Sequence, residues 1–313
     1  MAFSVFEQLL VMICISVIAF LFSKKITISH ADEQFTSRLL LFVVTPCLIL
    51  NAFNQSYDAH KFFMLVIATL VCIAFHLAFT VVAKIFLRNK NGDALFAIDR
   101  IAFVFSNCGY IGIPLVQAVF GDEGVFYVTA YIAVFNVYAW LYGARELSKE
   151  MKWQKIAFNP NVIAVVLGFA LFASPFTLPK IFARSINFVA SMNTPLSMII
   201  LGMIFSLFKK TDFKQSYILH LARTIFFRLV VASVIAFCII FITYKIFPNI
   251  SEMRTMLLVL YIAAICPVAV ITMTLASIFE SDAQFASLAV GISSALSVAS
   301  IPLFVKLADY LLK

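Results

Sequence analysis

Charged residues are scarce in this sequence. Asp, Glu, Lys and Arg make up 12% of its 313 residues, whereas they make up about 25% of a typical soluble domain. This scarcity excludes a chain built from soluble domains. Hydrophobic residues instead make up 63% of the chain, which is enough for roughly ten membrane spans of about 20 residues each. The composition therefore predicts an all-α integral membrane protein, with the lipid bilayer as its first partner.

The sequence also lacks the residue patterns of common metal, redox and catalytic sites. None of the six cysteines forms a C-x-x-C pair, and the four histidines have no zinc spacing, so the cysteines are expected to be small buried apolar residues. No G-x-S-x-G, H-E-x-x-H or P-loop pattern is present, which argues against an enzyme. The net charge of +8 is spread over short loops without an arginine-rich tract, which disfavours nucleic-acid binding. We expect no cofactor, no metal ion and no nucleic-acid partner.

Apolar segments divide the chain into two similar halves. Ten segments are predicted to span the membrane, at 3–22, 39–56, 62–86, 97–119, 125–146, 159–175, 184–207, 218–246, 253–278 and 284–311. Five spans form a repeat over residues 1–147, a short connection follows at 148–158, and five more spans form a second repeat over 159–313. Correspondences in the same order support the repeat. They are Thr-Pro at 45–46 and 194–195, Pro114 and Pro267, and Phe-Gly-Asp-Glu at 120–123 with Phe-Glu-Ser-Asp at 279–282.

Positive charge predicts the orientation of the chain. Lysine and arginine residues lie mainly in the loops after the first, third, fifth and seventh spans. Because such residues favour the cytoplasmic side, both termini are predicted to face outward from the inner (cytoplasmic) membrane, and the second half is inverted relative to the first. Arg100, Arg223 and Arg228 are assigned to span ends nearest the cytoplasm. The two arginines of the eighth span could there either attract an anion or extend to lipid headgroups.

Two of the predicted spans contain residues that interrupt a transmembrane helix. The fourth carries SNCGYIGIP at 106–114, and the ninth carries AAICPVAV at 263–270. Glycine loosens the helical backbone, and proline removes a helix hydrogen bond and clashes with the preceding turn. Broken backbone inside a bilayer survives only where protein or a watery cavity surrounds it. Paired breaks in two halves of a chain point to a transporter's substrate site, so we predict such a site where these spans cross near the middle of the membrane.

The crossing is predicted to favour an anion. At each break a new half-helix begins, and its N–H groups carry a partial positive charge of about half an elementary unit. Such helix ends can hold a carboxylate without a buried arginine. Asn107 lies just before the first break, where its side chain can donate to a carboxylate or satisfy the broken backbone, and both roles stay open. The residues predicted to bind substrate at the crossing are Asn107, Gly112, Pro114, Cys266, Pro267 and Val268.

These residues resemble a known family. The run NCGYIGIP at 107–114, followed by FGDEG at 120–124 and AYIAVFN at 130–136, is similar to the auxin efflux carrier (AEC) family, which includes plant PIN auxin carriers and bacterial malate and malonate permease-like proteins. Further similar segments are TPCLILNAF at 45–53, TPLSMIILGMIF at 194–205, CPVAVI at 266–271 and VGISSALSVASIPLF at 290–304. The resemblance implies ten spans in two inverted five-helix repeats, with the fourth and ninth broken where they cross. It also implies a scaffold domain over 1–56 and 159–207, and a transport domain over 62–146 and 218–311 that moves like an elevator.

Residue roles follow from the same resemblance. Asn107 corresponds to the family's carboxylate-contacting asparagine, and Pro114 and Pro267 correspond to its crossover prolines. Asn51 lies in the segment of the second span that lines the substrate path, and Asn136 lies at a polar position of the fifth. Both are implied to shape selectivity. Unlike the plant carriers, the chain has no long cytoplasmic loop between its halves, so phosphorylation of such a loop is not expected to regulate it.

The third span departs from the family too, because it has no acidic residue for the Asp-Lys proton site suggested for plant carriers. Its deep ionisable side chain is His76, and an ionisable group inside the membrane is a functional candidate. Histidine titrates near physiological pH, so His76 is a candidate for proton coupling; the alternative is a hydrogen-bonded packing residue. Asp99 and Arg100 at the start of the fourth span either pair with each other or anchor the helix end. The acidic residues after the broken spans are expected to cap or solvate helix termini, since acidic groups suit N-terminal ends.

The sequence thus predicts a secondary active transporter of small organic anions that works by an elevator type of alternating access. The substrates would be carboxylates, and dicarboxylates and auxin-like acids are both open. Two alternatives share the anion site. One is a membrane sensor that binds an organic anion without moving it, and the other is an anion channel, which would need a continuous polar lining. A homodimer through the scaffold domain is a further expectation.

Overall fold

The computed structural model describes residues 2–88, 95–148, 157–175, 178–208, 215 and 217–312. Nearly all of these residues are helical, and the β-type pairing among them is one isolated bridge. Seven helical stretches in this part of the chain are long and apolar enough to cross a membrane, and two shorter apolar helices accompany them. The prediction of an all-α membrane protein is therefore confirmed, whereas the count of ten spans stays a prediction.

The helices of the first half follow most of the predicted spans, but the second stretch begins at His30, nine residues before its predicted start at 39. They are α1 (Ala2–Ile26), α2 (His30–Leu39), α3 (Thr45–Phe53), α4 (Ala59–Phe86), α5 (Leu95–Val104), α6 (Ile113–Tyr138) and α7 (Ala144–Ser148). Turns of π-helix at Leu40–Val44 and Ala139–Gly143 join α2 to α3 and α6 to α7. A further π-helical turn, Cys108–Gly112, precedes α6.

The helices of the second half are arranged in a similar order. They are α8 (Pro160–Ala173), α9 (Lys180–Ser191), α10 (Asn193–Leu207), α11 (Tyr217–Phe226), α12 (Ala232–Ile246), α13 (Met253–Ile265), α14 (Val270–Ile278) and α15 (Ala283–Leu311). A π-helical turn at Phe227–Val231 joins α11 to α12. Most of the predicted connection at 148–158 lies outside the described residues, which omit 149–156.

Acidic side chains begin two of the long helices. Asp58 accepts hydrogen bonds from the backbone amides of His60 and Lys61, at 2.7 and 3.1 Å, and so caps α4. Asp282 accepts one from the Phe285 amide at 2.9 Å and caps α15. These bonds satisfy N–H groups that have no partner within their own helix. The expected capping role of the acidic residues after the broken spans is confirmed for Asp282.

The stretch Cys108–Leu147 contains a sharp bend. It is 40 residues long, so as one straight helix it would measure about 60 Å, twice the thickness of a bilayer's hydrocarbon core. Gly121, however, has φ 63° and ψ −155°, a backbone conformation that is essentially restricted to glycine. The helix therefore changes direction at Gly121. This bend lies between the predicted fourth and fifth spans, where the sequence indicated a loop.

Close helix packing forms two groups of elements. α1 packs most extensively against α10, and a Cβ at Gly202 would lie 2.3 Å from the Ser16 carbonyl oxygen, so glycine permits this close approach. α3 packs against α8 and α9, while α4, α6, α12 and α13 pack as a second group. α1 also contacts α6 and α15, which brings the groups together. The division into scaffold and transport domains stays a prediction.

Candidate functional site

The two predicted breaks meet in the structure. Helix α5 ends at Val104 and α13 ends at Ile265, and each is followed by a short non-helical segment. The Asn107 amide donates to the Pro267 carbonyl at 2.8 Å, and the Ala269 amide donates to the Phe105 carbonyl at 3.1 Å. Ser106 and Val268 pair between these bonds as an antiparallel bridge. The expectation that the broken segments cross is therefore confirmed, and we call residues 105–107 and 266–269 the crossing.

A new helical segment leaves the crossing on each side. The Asn107 carbonyl accepts hydrogen bonds from the amides of Ile111 and Gly112, at 3.1 and 3.2 Å, and starts the π-helical turn before α6. The Ala269 carbonyl accepts from the Thr272 amide at 3.0 Å and starts α14. Neither start is capped by a hydrogen bond from its own preceding side chain. Both amide ends therefore begin at the crossing, where an anion would meet their positive partial charge.

The side chain of Asn107 supplies a donor at this place. The residue is 2% exposed, and its Nδ2 atom contacts no hydrogen-bond acceptor among the described residues. A buried donor without an acceptor costs about 1–3 kcal/mol. A bound partner that accepts a hydrogen bond from this amide would remove that cost. The backbone of Asn107 already makes the hydrogen bonds that hold the break. Its side-chain amide is thus available for a ligand.

The other predicted crossing residues provide close packing. Gly112 lies against the second break, since a Cβ there would be 3.3 Å from the Cys266 Sγ. Pro114, Pro267 and Val268 are buried. The Cys266 thiol donates to the Ile262 carbonyl at 3.2 Å. The structure therefore brings all six predicted crossing residues into one region, and it gives Gly112 the role of letting the two broken spans approach.

Asn51 and Asn136 have other hydrogen-bond partners. Asn136 donates through Nδ2 to the Ile132 carbonyl at 2.8 Å, and its Oδ1 accepts from the Asn159 Nδ2 at 3.3 Å. Because Asn159 caps α8, this bond ties α6 to the beginning of that helix. The half-buried Asn51 accepts a backbone hydrogen bond from Asn54 at the end of α3. Among the described residues, no hydrogen bond joins either asparagine to the crossing, and their role in selectivity stays a prediction.

His76 lies beside the crossing within an aromatic cluster. It is fully buried, its Nδ1 is 2.8 Å from the Cys72 carbonyl oxygen, and its Nε2 contacts no partner among the described residues. Its ring centre is 5.2 Å from that of Tyr131. The Tyr131 hydroxyl in turn lies 2.8 Å from the Ser106 Oγ at the crossing. The hydrogen bond fits the packing role, while proton coupling through His76 stays a prediction.

The assignment of Arg228 to a cytoplasmic span end is wrong. Its side chain is 0% exposed. Its Nε donates to the Cys266 carbonyl at 3.0 Å and its Nη1 to the Phe103 carbonyl at 2.6 Å, and its Nη2 contacts the Ala264 carbonyl. The guanidinium therefore binds the carbonyl ends of α5 and α13. Burial in the crossing excludes contact with lipid headgroups.

Asp99 and Arg100 do not pair with each other. Asp99 is buried, and its carboxylate lies 2.7 Å from the His220 Nδ1 and accepts hydrogen bonds from Arg223 and Thr224. Arg100 instead pairs with Glu146 at 2.7 Å. The expected anchoring role is therefore the correct one of the two alternatives. Arg223, which is partly exposed, also pairs with Asp99, because α5 and α11 pack against each other.

Sequence reasoning missed two further polar residues, one at the crossing and one on α10. The Ser293 Oγ of α15 accepts a hydrogen bond from the Val268 amide at 3.0 Å. Asn193 of α10 is fully buried, and neither its Nδ2 nor its Oδ1 has a hydrogen-bond partner among the described residues. α10 contacts the π-helical turn that follows Asn107. The signal for Asn193 was present, since it directly precedes the Thr-Pro pair at 194–195.

An apolar cavity adjoins the crossing. It has a volume of about 490 Å³ and lies between α1, α10, α15 and Ile111 of the π-helical turn. Most of its lining is hydrophobic, and its hydroxyl groups come from Ser16, Ser294 and Ser297. All three hydroxyls donate to backbone carbonyls of their own helices. The cavity can therefore accept an apolar body beside Ile111, in the turn that follows Asn107.

Comparison with known families agrees with this architecture. A family model described as "Membrane transport protein" matches residues 4–156 and 145–305, which together cover nearly the whole chain. No curated protein matches the sequence. The chain belongs to the membrane transport protein family, the auxin efflux carrier (AEC) family, and is a multi-pass membrane transporter.

Proposed function

We propose that this transporter is a secondary carrier of small organic anions, and that the crossing holds the substrate's carboxylate. The observation that carries the proposal is the buried Nδ2 of Asn107, which has no acceptor among the described residues and lies at the start of the π-helical turn. A carboxylate oxygen would accept this hydrogen bond. Hydrogen bonds to a charged group contribute about 1.5–3 kcal/mol.

Electrostatics supports an anion at the same place. The amide ends of the turn before α6 and of α14 both begin at the crossing. Each contributes a partial positive charge of about half an elementary unit. In the low-dielectric surroundings of buried Phe105 and Val268, water screens these charges less than it would at a surface. An anion thus gains from two helix ends at once.

The elevator type of movement belongs to the same proposal. The cavity lies between α1 and α10 on one side, in the predicted scaffold, and Ile111 and α15 on the other, in the predicted transport domain. An apolar boundary between two units has few hydrogen bonds to break when one unit slides along the other. The substrate's apolar body would occupy this boundary while its carboxylate stays at the crossing.

The distribution of lysine and arginine supports an orientation of the chain in its membrane. We propose that the chain lies in the inner membrane with both termini outside, since its positive residues are concentrated in one set of loops. A homodimer through the predicted scaffold is part of the same proposal. Cysteine labelling from each side of the membrane tests the orientation, and cross-linking in native membranes tests the dimer.

Exchange of a trapped solute tests the function directly. The purified protein is reconstituted into liposomes loaded with unlabelled acetate, benzoate, malonate or malate, and uptake of the matching labelled acid is measured against protein-free liposomes. We expect saturable exchange of at least one of these acids. Binding without exchange would instead identify a sensor, and a large unitary conductance in planar bilayers would identify a channel.

A further inference from the structure

Arg228 places a full positive charge inside the crossing. Its hydrogen bonds go to three backbone carbonyls, those of Phe103, Ala264 and Cys266. Among the described residues, no Asp or Glu forms an ion pair with it, and its guanidinium carbon lies 5.4 Å from the centre of the Phe79 ring. A buried charge is normally paired with an opposite one. Here the compensation comes from backbone dipoles.

Those three carbonyls mark the negative ends of two helices. Phe103 lies in the last turn of α5, and Ala264 and Cys266 lie at the end of α13. Each helix C-terminus carries about half a negative elementary charge, so the two ends together balance one guanidinium. Without Arg228, these carbonyl ends would oppose the amide ends that start at the same crossing. With it, the amide ends remain as an unbalanced positive site.

Such a group of carbonyls is also a site for a mobile cation. In transporters with broken helices, half-helix C-terminal ends and unwound carbonyls commonly coordinate the coupling ion. Arg228 lies in the π-helical turn Phe227–Val231 between α11 and α12, and π-turns of this kind are frequent at functional sites. The turn sets Arg228 in the middle of a long apolar helix and directs its side chain at the crossing.

We propose that Arg228 is a built-in cation that occupies the place of a coupling ion. It neutralises the carbonyl ends of α5 and α13, and it thereby makes anion binding at Asn107 independent of a bound alkali cation. The effect on anion binding rests on the proposed function, whereas the occupied cation site rests on the geometry alone. Arg228 is a positioning residue, because it acts on the substrate through the electrostatics of the crossing.

Charge and hydrogen bonding at this position can be separated by two variants. Arg228→Lys keeps the charge, and Arg228→Gln keeps a donor without the charge. In the liposome exchange assay with labelled benzoate and malonate, we expect Arg228→Lys to stay within a few-fold of wild type in affinity. Arg228→Gln should lose affinity by at least about tenfold, because the carbonyl ends then oppose the anion.

The matched control is Arg254→Gln. Arg254 lies at the start of α13 and pairs with Asp309, about 18 Å of helix before the crossing. The Arg254→Gln substitution removes one positive charge from the protein without changing the crossing. The affinity of this variant for the labelled acids should therefore stay near that of wild type. Replacing sodium by choline should leave wild-type exchange unchanged. Equal affinities for the Lys and Gln variants, or a sodium requirement in wild type, would overturn the proposal.

A second measurement does not depend on transport. Arg228→Ala should leave a space that methylguanidinium can enter, so millimolar methylguanidinium should raise the thermal unfolding temperature of this variant in detergent but not that of wild type. A folded Arg228→Ala protein that methylguanidinium does not stabilise would overturn the cation site. Stabilisation without exchange of any acid by wild type would keep the cation site and reject the organic-anion function. If Arg228→Ala does not fold, the comparison of Arg228→Gln with Arg228→Lys decides.

Discussion

Single polar residues in an apolar chain differ in how far the sequence reveals their role. Asn107 stands out because an amide interrupts an apolar span next to glycine and proline, and the structure places it at the crossing. Arg228, by contrast, is predicted from the sequence to lie at a span end nearest the cytoplasm, and the structure buries it at the crossing. The depth of Arg228 in the membrane could be predicted from the sequence, since the 11 residues from Tyr217 to Arg228 correspond to about 16 Å of helix. Its partners could not, because backbone carbonyls on two distant segments leave no mark in the sequence.

The Asp99 cluster gives a prediction at the residue scale. Asp99→Asn removes the carboxylate that holds Arg223 and His220, and an uncompensated charge remains. We expect a loss of about 3 kcal/mol, at the low end for a broken buried pair because Arg223 is partly exposed. The thermal unfolding temperature in detergent measures the loss. Asp122→Asn, at an exposed acid after the bend, serves as the control, and equal unfolding temperatures for the two variants would contradict the pairing.

At the scale of helices, the hydrophobic runs in the sequence predicted where most of the membrane-spanning helices begin and end. The predicted spans 62–86, 159–175 and 284–311 agree closely with α4, α8 and α15, because an apolar run must cover the thickness of the bilayer. The π-helical turns were not predictable. They depend on how neighbouring helices pack, and their residues have no distinctive composition. The crossing itself was predictable since glycine and proline mark it.

Gly202 gives a prediction for the contact between α1 and α10. A Cβ there would lie 2.3 Å from the Ser16 carbonyl oxygen and 2.7 Å from the Ala19 Cβ, so Gly202→Val must push the helices apart. Overpacking of this kind costs about 1–3 kcal/mol, and thermal unfolding in detergent should show it. Gly109→Ala, where a Cβ meets nothing within 4 Å, should leave the unfolding temperature near that of wild type. A Gly202→Val protein as stable as Gly109→Ala would refute the close packing.

Gly121 tests the bend separately from packing. A Cβ at Gly121 would also meet nothing within 4 Å, but its φ of +63° disfavours any side chain. Gly121→Ala should therefore lower stability by about 1–3 kcal/mol through backbone strain alone. Measurement beside Gly109→Ala isolates this effect. Equal stability of the two alanine variants would mean that the helix does not bend at Gly121.

At the scale of the whole molecule, the sequence correctly predicted a membrane transporter but did not predict the cavity between its helices. Composition and the paired breaks led to a membrane transporter, and the family match confirms that class. The cavity between α1, α10 and α15 could not be predicted, because it depends on where helices from both halves fail to fill space. The domain division, the orientation in the membrane and the elevator movement stay predictions. Orientation depends on the surrounding membrane, and the domains and their movement depend on a second conformation of the protein.

Filling the cavity tests whether the boundary between the two units takes part in transport. Val298 of α15 lines the cavity, and Val298→Trp should obstruct it. We expect exchange of labelled acid to fall by at least about tenfold, because a 490 Å³ space is within the usual range for ligand sites. Leu303→Trp, on a 65% exposed position of the same helix, should exchange normally. Unimpaired exchange in Val298→Trp would exclude the cavity from the transport path.

The central claim is that the Asn107 amide binds the carboxylate of the substrate. It is tested most directly by the concentration dependence of exchange in liposomes, with wild type beside Asn107→Ala and with Asn136→Ala as a control in α6. Loss of one charge-assisted hydrogen bond of about 1.5–3 kcal/mol corresponds to roughly a tenfold to hundredfold loss of affinity. We predict a loss of that size for Asn107→Ala and a smaller one for Asn136→Ala, with both proteins folded. Unchanged affinity in Asn107→Ala would contradict the account.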